Sequence, residues 1–257
     1  MKIDFTGQVA IVTGAGGGIG RAVSLVLAQA GASMLVVDRD EDRGRETVDL
    51  VTAAGGVARF SRCDVCLADE VAAYVATALS TWGRIDIFMN NAGWQGPVGA
   101  LIDCPDDAFD AVMAVNVRGV FLGLKHVLPV MIRQKRGAVV NTASLGSFVG
   151  ARHLAPYIAS KHAVMGLTRT VALEVIRDGV RVNAVCPGPV DTPLLRDIEA
   201  DQADGDPERL RQRRTASIPQ GRYGEPVEIA NVMAFLASDL ASHMVGQGVH
   251  VNGGSYS

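Results

Sequence analysis

Tyr157 and Lys161 stand four residues apart, the spacing that brings two side chains onto one face of a helix. A free phenol has a pKa near ~10 and is a poor base at neutral pH. An ammonium beside it favours the phenolate, and a phenol tuned in this way could take a proton from an alcohol or give one to a carbonyl. Ser144 lies upstream, in Thr142-Ala143-Ser144-Leu145-Gly146. Its hydroxyl could bond the reacting oxygen and hold it near Tyr157, which is positioning rather than nucleophilic attack. A hydrolase reading of Ser144 is poor, because the segment lacks the first glycine of a G-x-S-x-G elbow. A lone Tyr-x-x-x-Lys is more often a surface helix pair, so its weight depends on what else the chain supplies.

Interconverting an alcohol and a carbonyl needs a hydride carrier as well as a proton carrier. The stretch Thr13-Gly14-Ala15-Gly16-Gly17-Gly18-Ile19-Gly20 could hold one. Glycines after a strand allow a tight turn and close approach of the backbone to a pyrophosphate, and the helix that follows adds free N–H groups. A G-x-G-x-x-G pattern would need glycine at position 19, where Ile19 stands; the glycines fall instead at Gly14, Gly18 and Gly20. Asp38 follows about 20 positions on, where a carboxylate can bind both ribose hydroxyls of NAD and repel the 2′-phosphate of NADP. A helix N-cap or turn is its simpler role. Arg39 beside it argues for NADP, but the glycine loop carries no basic residue, so NAD is the expected cofactor.

These residues need strands and helices to hold them. Short apolar runs recur along the chain: Val9–Val12, Met34–Val37, Val57–Phe60, Ile85–Met89, Ala138–Asn141, Arg181–Val185 and Gly248–Val251. Bounded by Gly, Asp or Asn, they suit buried parallel strands. Between them lie helical stripes such as Ala22, Val23, Val26, Leu27 and Ala30. Alternating strands and helices with right-handed crossovers predict an α/β Rossmann fold: one domain over 1–257, with a doubly wound, seven-stranded parallel sheet flanked by helices. Apolar helices are expected over Ala111–Met131 and Ala159–Ile176. From Pro187 to about Gly224 the chain is rich in Pro, Gly and charge, with no clear strand, and predicts a substrate lid.

Totals exclude other classes. The net charge is −3 and there is no long basic run, which argues against nucleic acid or an acidic membrane as partner. The cluster Arg209, Arg211, Arg213 and Arg214 lies among acidic residues and reads as a solvated helix or loop. No apolar run approaches the ~18 residues that span a bilayer, and the first residues carry no secretory signal, so the cytoplasm is the expected location. Cys63 and Cys66 form a C-x-x-C, but Cys104 and Cys186 are isolated, so buried thiols are expected rather than a zinc or redox site. His126, His153, His162, His243 and His250 show no metal spacing, and no metal is expected.

The T-G-x-x-x-G-x-G spacing on a strand–turn–helix resembles that of the short-chain dehydrogenases/reductases, and the resemblance extends over almost the whole chain. It implies that Ile19 lies with the glycines against the cofactor and that Asp64-Val65 meets the adenine. It places Asn91, Ala92 and Gly93 of the motif Asn90-Asn91-Ala92-Gly93 beside the dinucleotide. Pro187, Gly188 and Val190 would flank the nicotinamide, and Thr192 its carboxamide. Lys161 would also bond the nicotinamide ribose, whose oxidised ring adds positive charge near Tyr157. Asn116, a polar amide in an apolar stretch, would support a water leading from the lysine to solvent. Asn116, Ser144, Tyr157 and Lys161 then form a catalytic tetrad. Ser144, Trp94, Gln95, Gly146, His153 and Leu194 are the expected substrate contacts. The segment Asn-Ala-Gly-Trp-Gln-Gly is similar to that of some polyol (xylitol-type) dehydrogenases, so the resemblance implies pro-S hydride transfer with a polyol or cyclic secondary alcohol, or its ketone, in a homotetramer. A 3-oxoacyl-carrier reductase and a non-catalytic dinucleotide sensor are the alternatives.

Overall fold

The structure, a computed structural model, describes residues 3–193, 195, 196, 199 and 206–255. Seven strands run β1 (Val9–Thr13), β2 (Ser33–Asp38), β3 (Val57–Arg62), β4 (Ile87–Asn90), β5 (Gly137–Thr142), β6 (Val180–Pro187) and β7 (Gly248–Val251). They pair in the order β3-β2-β1-β4-β5-β6-β7, every pair parallel. Successive residues of a strand face opposite sides of a sheet. Here both sides are apolar because both are covered. Ile11, Leu35, Val37, Phe88 and Val139 pack in one core. Ala10, Val12, Met34, Val36, Ile87, Met89 and Val140 pack in the other. Helices α3 (Ala68–Trp82), α5 (Gly119–Gln134) and α6 (Ala155–Val175) cover the first face. Helices α1 (Gly18–Gln29), α2 (Glu41–Ala53) and α8 (Pro226–Ala237) cover the second.

The strand order reverses beside β1, so the carboxyl ends of β1 and β4 open a crevice where ligands bind in such sheets. That edge is tied together by side chains. Asn91 donates through Nδ2 to the Thr13 carbonyl at 3.0 Å and accepts from Thr142 Oγ1 at 3.1 Å. Thr13 Oγ1 in turn accepts from Asn91 N at 2.9 Å and Ala92 N at 3.1 Å.

Four expectations change. The fourth strand starts at Ile87, not Ile85, because the Gln134 amide takes both Ile85 N (3.0 Å) and Ile85 O (2.7 Å). The expected helix over Ala111–Met131 is two helices, α4 (Asp106–Met113) and α5, joined by a π-helical turn, Ala114–Arg118. The continuous run Asp106–Gln134 is long and apolar enough to cross a membrane, which the sequence reading denied of any segment. Its residues Val120, Leu124, Val127 and Met131 are nonetheless buried against the sheet, as in a core helix. The lid segment is not wholly irregular: it contains α7 (Pro207–Ala216), and Val190 pairs with Gly224 to staple its two ends. On α7, Arg209 and Arg213 are solvated, but Arg211 and Arg214 turn toward the buried Glu199 at 3.9 and 3.3 Å.

Candidate active site

Ser144 follows β5 at the carboxyl edge of the sheet and caps a single 3-10 turn, Leu145–Ser147. Tyr157 and Lys161 project from the first turns of α6, where Pro156 opens the helix without losing an intrahelical hydrogen bond. Lys161 is buried, donates from Nζ to the Thr142 carbonyl at 2.8 Å, and lies 5.6 Å from the centre of the Tyr157 ring. Burial lowers its pKa to about 8. The phenol departs from the expected direction. Burial pushes Tyr157 above its ordinary pKa, and the opposing pull comes from a hydrogen bond with Ser144, not from the ammonium. Losing water costs the phenolate more than the Ser144 bond returns.

Asn116 is fully buried in the π-helical turn. Its Oδ1 accepts from Trp94 N at 2.8 Å, and its Nδ2 donates to Trp94 O at 2.7 Å and Ser160 Oγ at 2.9 Å. Ser160 Oγ passes the link to the Tyr157 carbonyl at 2.7 Å. The Asn116 amide thus clamps the Trp94 backbone and ties it to α6.

The glycine loop lies across the sheet crevice from this group. Gly14 has φ +63°, and a Cβ there would lie 2.8 Å from Ala92 Cα; one on Gly20 would collide with the Gly14 carbonyl. Only glycines let β1, α1 and the Asn91–Gly93 segment approach so closely. Asp38 ends β2 with Oδ2 accepting from Gly16 N at 2.7 Å and Oδ1 from Asp40 N at 3.0 Å. The N-cap of α2 is Asp40; Asp38 accepts a turn bond from Asp40 N through Oδ1 and keeps Oδ2 on the glycine loop. A cavity of about 800 Å³ connects both ends. Gly14, Gly18, Ile19, Gly20, Asp38, Asp64, Val65, Asn91, Ala92 and Gly93 line it, as do Pro187, Gly188, Val190 and Thr192, together with Ser144, Tyr157 and Lys161. The glycine cradle, the carboxylate at its end and the free α1 N-terminus fit a nicotinamide dinucleotide, with the acid–base residues at the far end.

A family model described as enoyl-(acyl carrier protein) reductase matches residues 14–256. Cyclohexanol dehydrogenase of Acinetobacter sp. (strain SE19) is 36% identical over 253 residues, covering 98% of this chain and 96% of the relative. The crystal structure of NAD+-bound xylitol dehydrogenase superposes with a TM-score of 0.93 at 37% identity, over 97% of this chain and 99% of that one. A variant of actinorhodin polyketide ketoreductase with NADPH gives 0.93 at 38% identity, over 99% of both chains. The chain belongs to the short-chain dehydrogenase/reductase family. It is an oxidoreductase that works with a nicotinamide dinucleotide on a small-molecule alcohol or ketone.

In this dehydrogenase/reductase Trp94, Gln95, Gly146 and His153 also line the cavity; Leu194 lies outside the described residues. His153 has φ +66°, a conformation that costs a non-glycine residue, and its carbonyl is held by Gly99 N at 3.0 Å. Sequence reasoning missed Arg43, Arg152 and Arg214, which line the same cavity. Nothing in their spacing signals this: Arg43 on α2 and Arg152 before α6 lie five residues from Asp38 and Tyr157, and Arg214 is on α7. The cysteines are free, and burial pushes Cys63 and Cys186 up to about 12 and Cys66 to about 11, so they are thiols at neutral pH. Among the described residues no three His, Cys, Asp or Glu side chains gather in a way that could hold a metal.

Proposed function

We propose that this enzyme is an NAD-dependent dehydrogenase of a polyol or cyclic secondary alcohol, working reversibly with the ketone. The observation that carries the reading is Asp38, whose carboxylate is fixed on Gly16 N at 2.7 Å where a dinucleotide's adenosine ribose would meet the glycine loop. A fixed negative charge there favours two free hydroxyls and opposes a phosphate. A nicotinamide held in the cavity, which Gly93 and Pro187 line, would supply the hydride chemistry at the alcohol or ketone carbon. Ser144 holds the substrate oxygen, and Tyr157 takes the hydroxyl proton in oxidation or supplies it in reduction. Lys161 holds positive charge beside the phenol, and Asn116 keeps Trp94 as a fixed wall of the pocket. The activities named for the cyclohexanol and xylitol relatives support this substrate class.

A 3-oxoacyl-carrier reductase using NADPH is the second reading, favoured by Arg39 and Arg43 lining the cavity near Asp38. The deciding experiment measures NADH or NADPH formation with cyclohexanol and xylitol, and consumption with a 3-oxoacyl thioester. Turnover of an alcohol with NAD sustains the first reading; NADPH-dependent reduction of the thioester alone replaces it. We further propose that the enzyme is a cytoplasmic homotetramer. Phe109, Phe121 and Leu173 leave apolar surface exposed on α4, α5 and α6, the helices around Asn116 and Tyr157. A monomer mass by light scattering would refute the tetramer.

A further inference from the structure

Ser147 joins the two segments that carry the reacting groups. The 3-10 turn led by Ser144 closes on itself: Ser144 Oγ accepts from Gly146 N at 3.1 Å, and Ser147 N donates to the Ser144 carbonyl at 2.9 Å. The Ser147 hydroxyl then reaches in two directions. It accepts from Ser144 N at 3.3 Å and donates to the Lys161 carbonyl at 2.8 Å. Ser147 is only 5% exposed, so these bonds face little competition from water. A carbonyl oxygen has two lone pairs, and the helix ladder of α6 and the Ser147 hydroxyl can share this one. Neither other residue of the turn can make such a tether. Leu145 is apolar, and Gly146 packs so closely that a Cβ would lie 2.6 Å from Ile158 Cδ1. The turn therefore packs against α6 and is tied to it by a polar tether that ends on the backbone of Lys161 itself.

We propose that Ser147 is a positioning residue that sets the separation between Ser144 and the Tyr157–Lys161 face of α6. The proposal rests on the acid–base reading of Tyr157 given above. Its consequence follows from geometry: a hydrogen bond weakens steeply as its atoms part or tilt. A turn released by a few tenths of an ångström loosens the grip of Ser144 on both the phenol and the substrate oxygen. The Ser144 bond is also the pull that opposes burial at Tyr157, so loosening it raises the phenol's pKa further. The other titratable groups nearby are Lys161 on α6, Cys186 on β6, and Arg152 and His153 on the loop before α6. A change at Ser147 removes none of them.

The test is Ser147→Ala, made in the wild-type enzyme and again in a Ser144→Ala background. In the wild-type background kcat for alcohol oxidation is expected to fall about 10-fold, since small misplacements of reacting groups cost rate steeply. The dissociation constant for the cofactor should stay within about twofold, and the rising limb of the pH–rate profile should move to higher pH. In the Ser144→Ala background the same change should cost almost nothing further, because a residue that acts through another adds no independent effect. Equal losses in both backgrounds, or a matching loss of cofactor binding, would make Ser147 a merely structural residue and overturn the proposal. No loss in either background would overturn it too. Wild-type turnover indifferent to Tyr157→Phe would instead sink the acid–base reading, and the proposal with it.

Discussion

At the scale of single residues, two ionisable groups define the site, and burial shifts both toward their neutral forms. For Tyr157 this means that the protein alone keeps the phenol protonated, ready to donate; the positive nicotinamide of the oxidised cofactor is needed to favour its loss of a proton. Replacing Tyr157 with Phe should lower kcat by about 10²–10⁴-fold, the usual worth of a positioned general acid–base group, while fluorescence titration shows cofactor affinity retained. Lys161 leaves a signature in stability. Its pKa is about 8 in the folded protein against ~10.4 when unfolded, so between these values the unfolded chain binds more protons. Stability should therefore rise with pH from about 8 to ~10.4. The urea midpoint of the wild type, taken relative to Lys161→Met, should climb across that window, and a flat difference would contradict the buried ammonium. In the NAD-dependent reading proposed above, Asp38 selects the cofactor. Asp38→Ser should lower the ratio of kcat/KM for NAD over that for NADP by about 10²-fold, the equivalent of about 2.7 kcal/mol of removed repulsion and lost ribose bonding.

At the scale of elements, the central strands β1, β2, β4, β5 and β6 were legible because they are buried on both faces and read as apolar runs bounded by turn residues, whereas the edge strands β3 and β7 are partly exposed and carry a weaker pattern. Gly14, Asp38, Asn91 and Ser144 were legible as site candidates because each stands at or just beyond a strand's carboxyl end, where chain order alone predicts a crevice. The π-helical turn at Asn116 was not. Its cause is tertiary: the amide must meet both backbone groups of Trp94, a demand that no local pattern expresses. Ser147 escaped for the same reason, since its partner Lys161 is on another element. Helix α7, in the segment expected to form a lid, carries no apolar stripe, and charge fastens it instead. Arg211 bonds Asp191 at 2.8 Å, lies 3.9 Å from Glu199, and stacks 5.0 Å over the Tyr223 ring. Tyr223 donates its hydroxyl to the same Glu199. Asp191 is held at a pKa of about 2 by Arg196 and Arg211, and it adjoins Thr192 in the cavity wall. Arg211→Met should free the lid, raising KM for the alcohol several-fold with a smaller change in kcat. Equal steady-state constants for the two proteins would show that the latch does not shape the cavity.

At the scale of the whole molecule, the cavity is the carboxyl edge of the sheet itself, so what holds the edge together also holds the cofactor. Asn91 is where the two meet. It ties β1 to β5 by bonds to Thr13 and Thr142, while its neighbours Ala92 and Gly93 line the cavity. Asn91→Leu keeps the size of the side chain but leaves the Thr13 carbonyl without this donor and Thr142 Oγ1 without this acceptor. Each polar group so abandoned costs about 1–3 kcal/mol when water cannot replace the partner. Asn91 is only half-buried, so a total near the low end is expected, read as a lower urea midpoint with an unchanged slope. A ligand that binds only the folded state stabilises by RT ln(1 + [L]/Kd), so saturating NAD should raise the wild-type midpoint. It should raise that of Asn91→Leu less, because the loosened edge binds more weakly. If NAD raised both midpoints equally, the edge clasp and the cofactor cradle would be energetically separate, and Asn91 would serve the sheet alone.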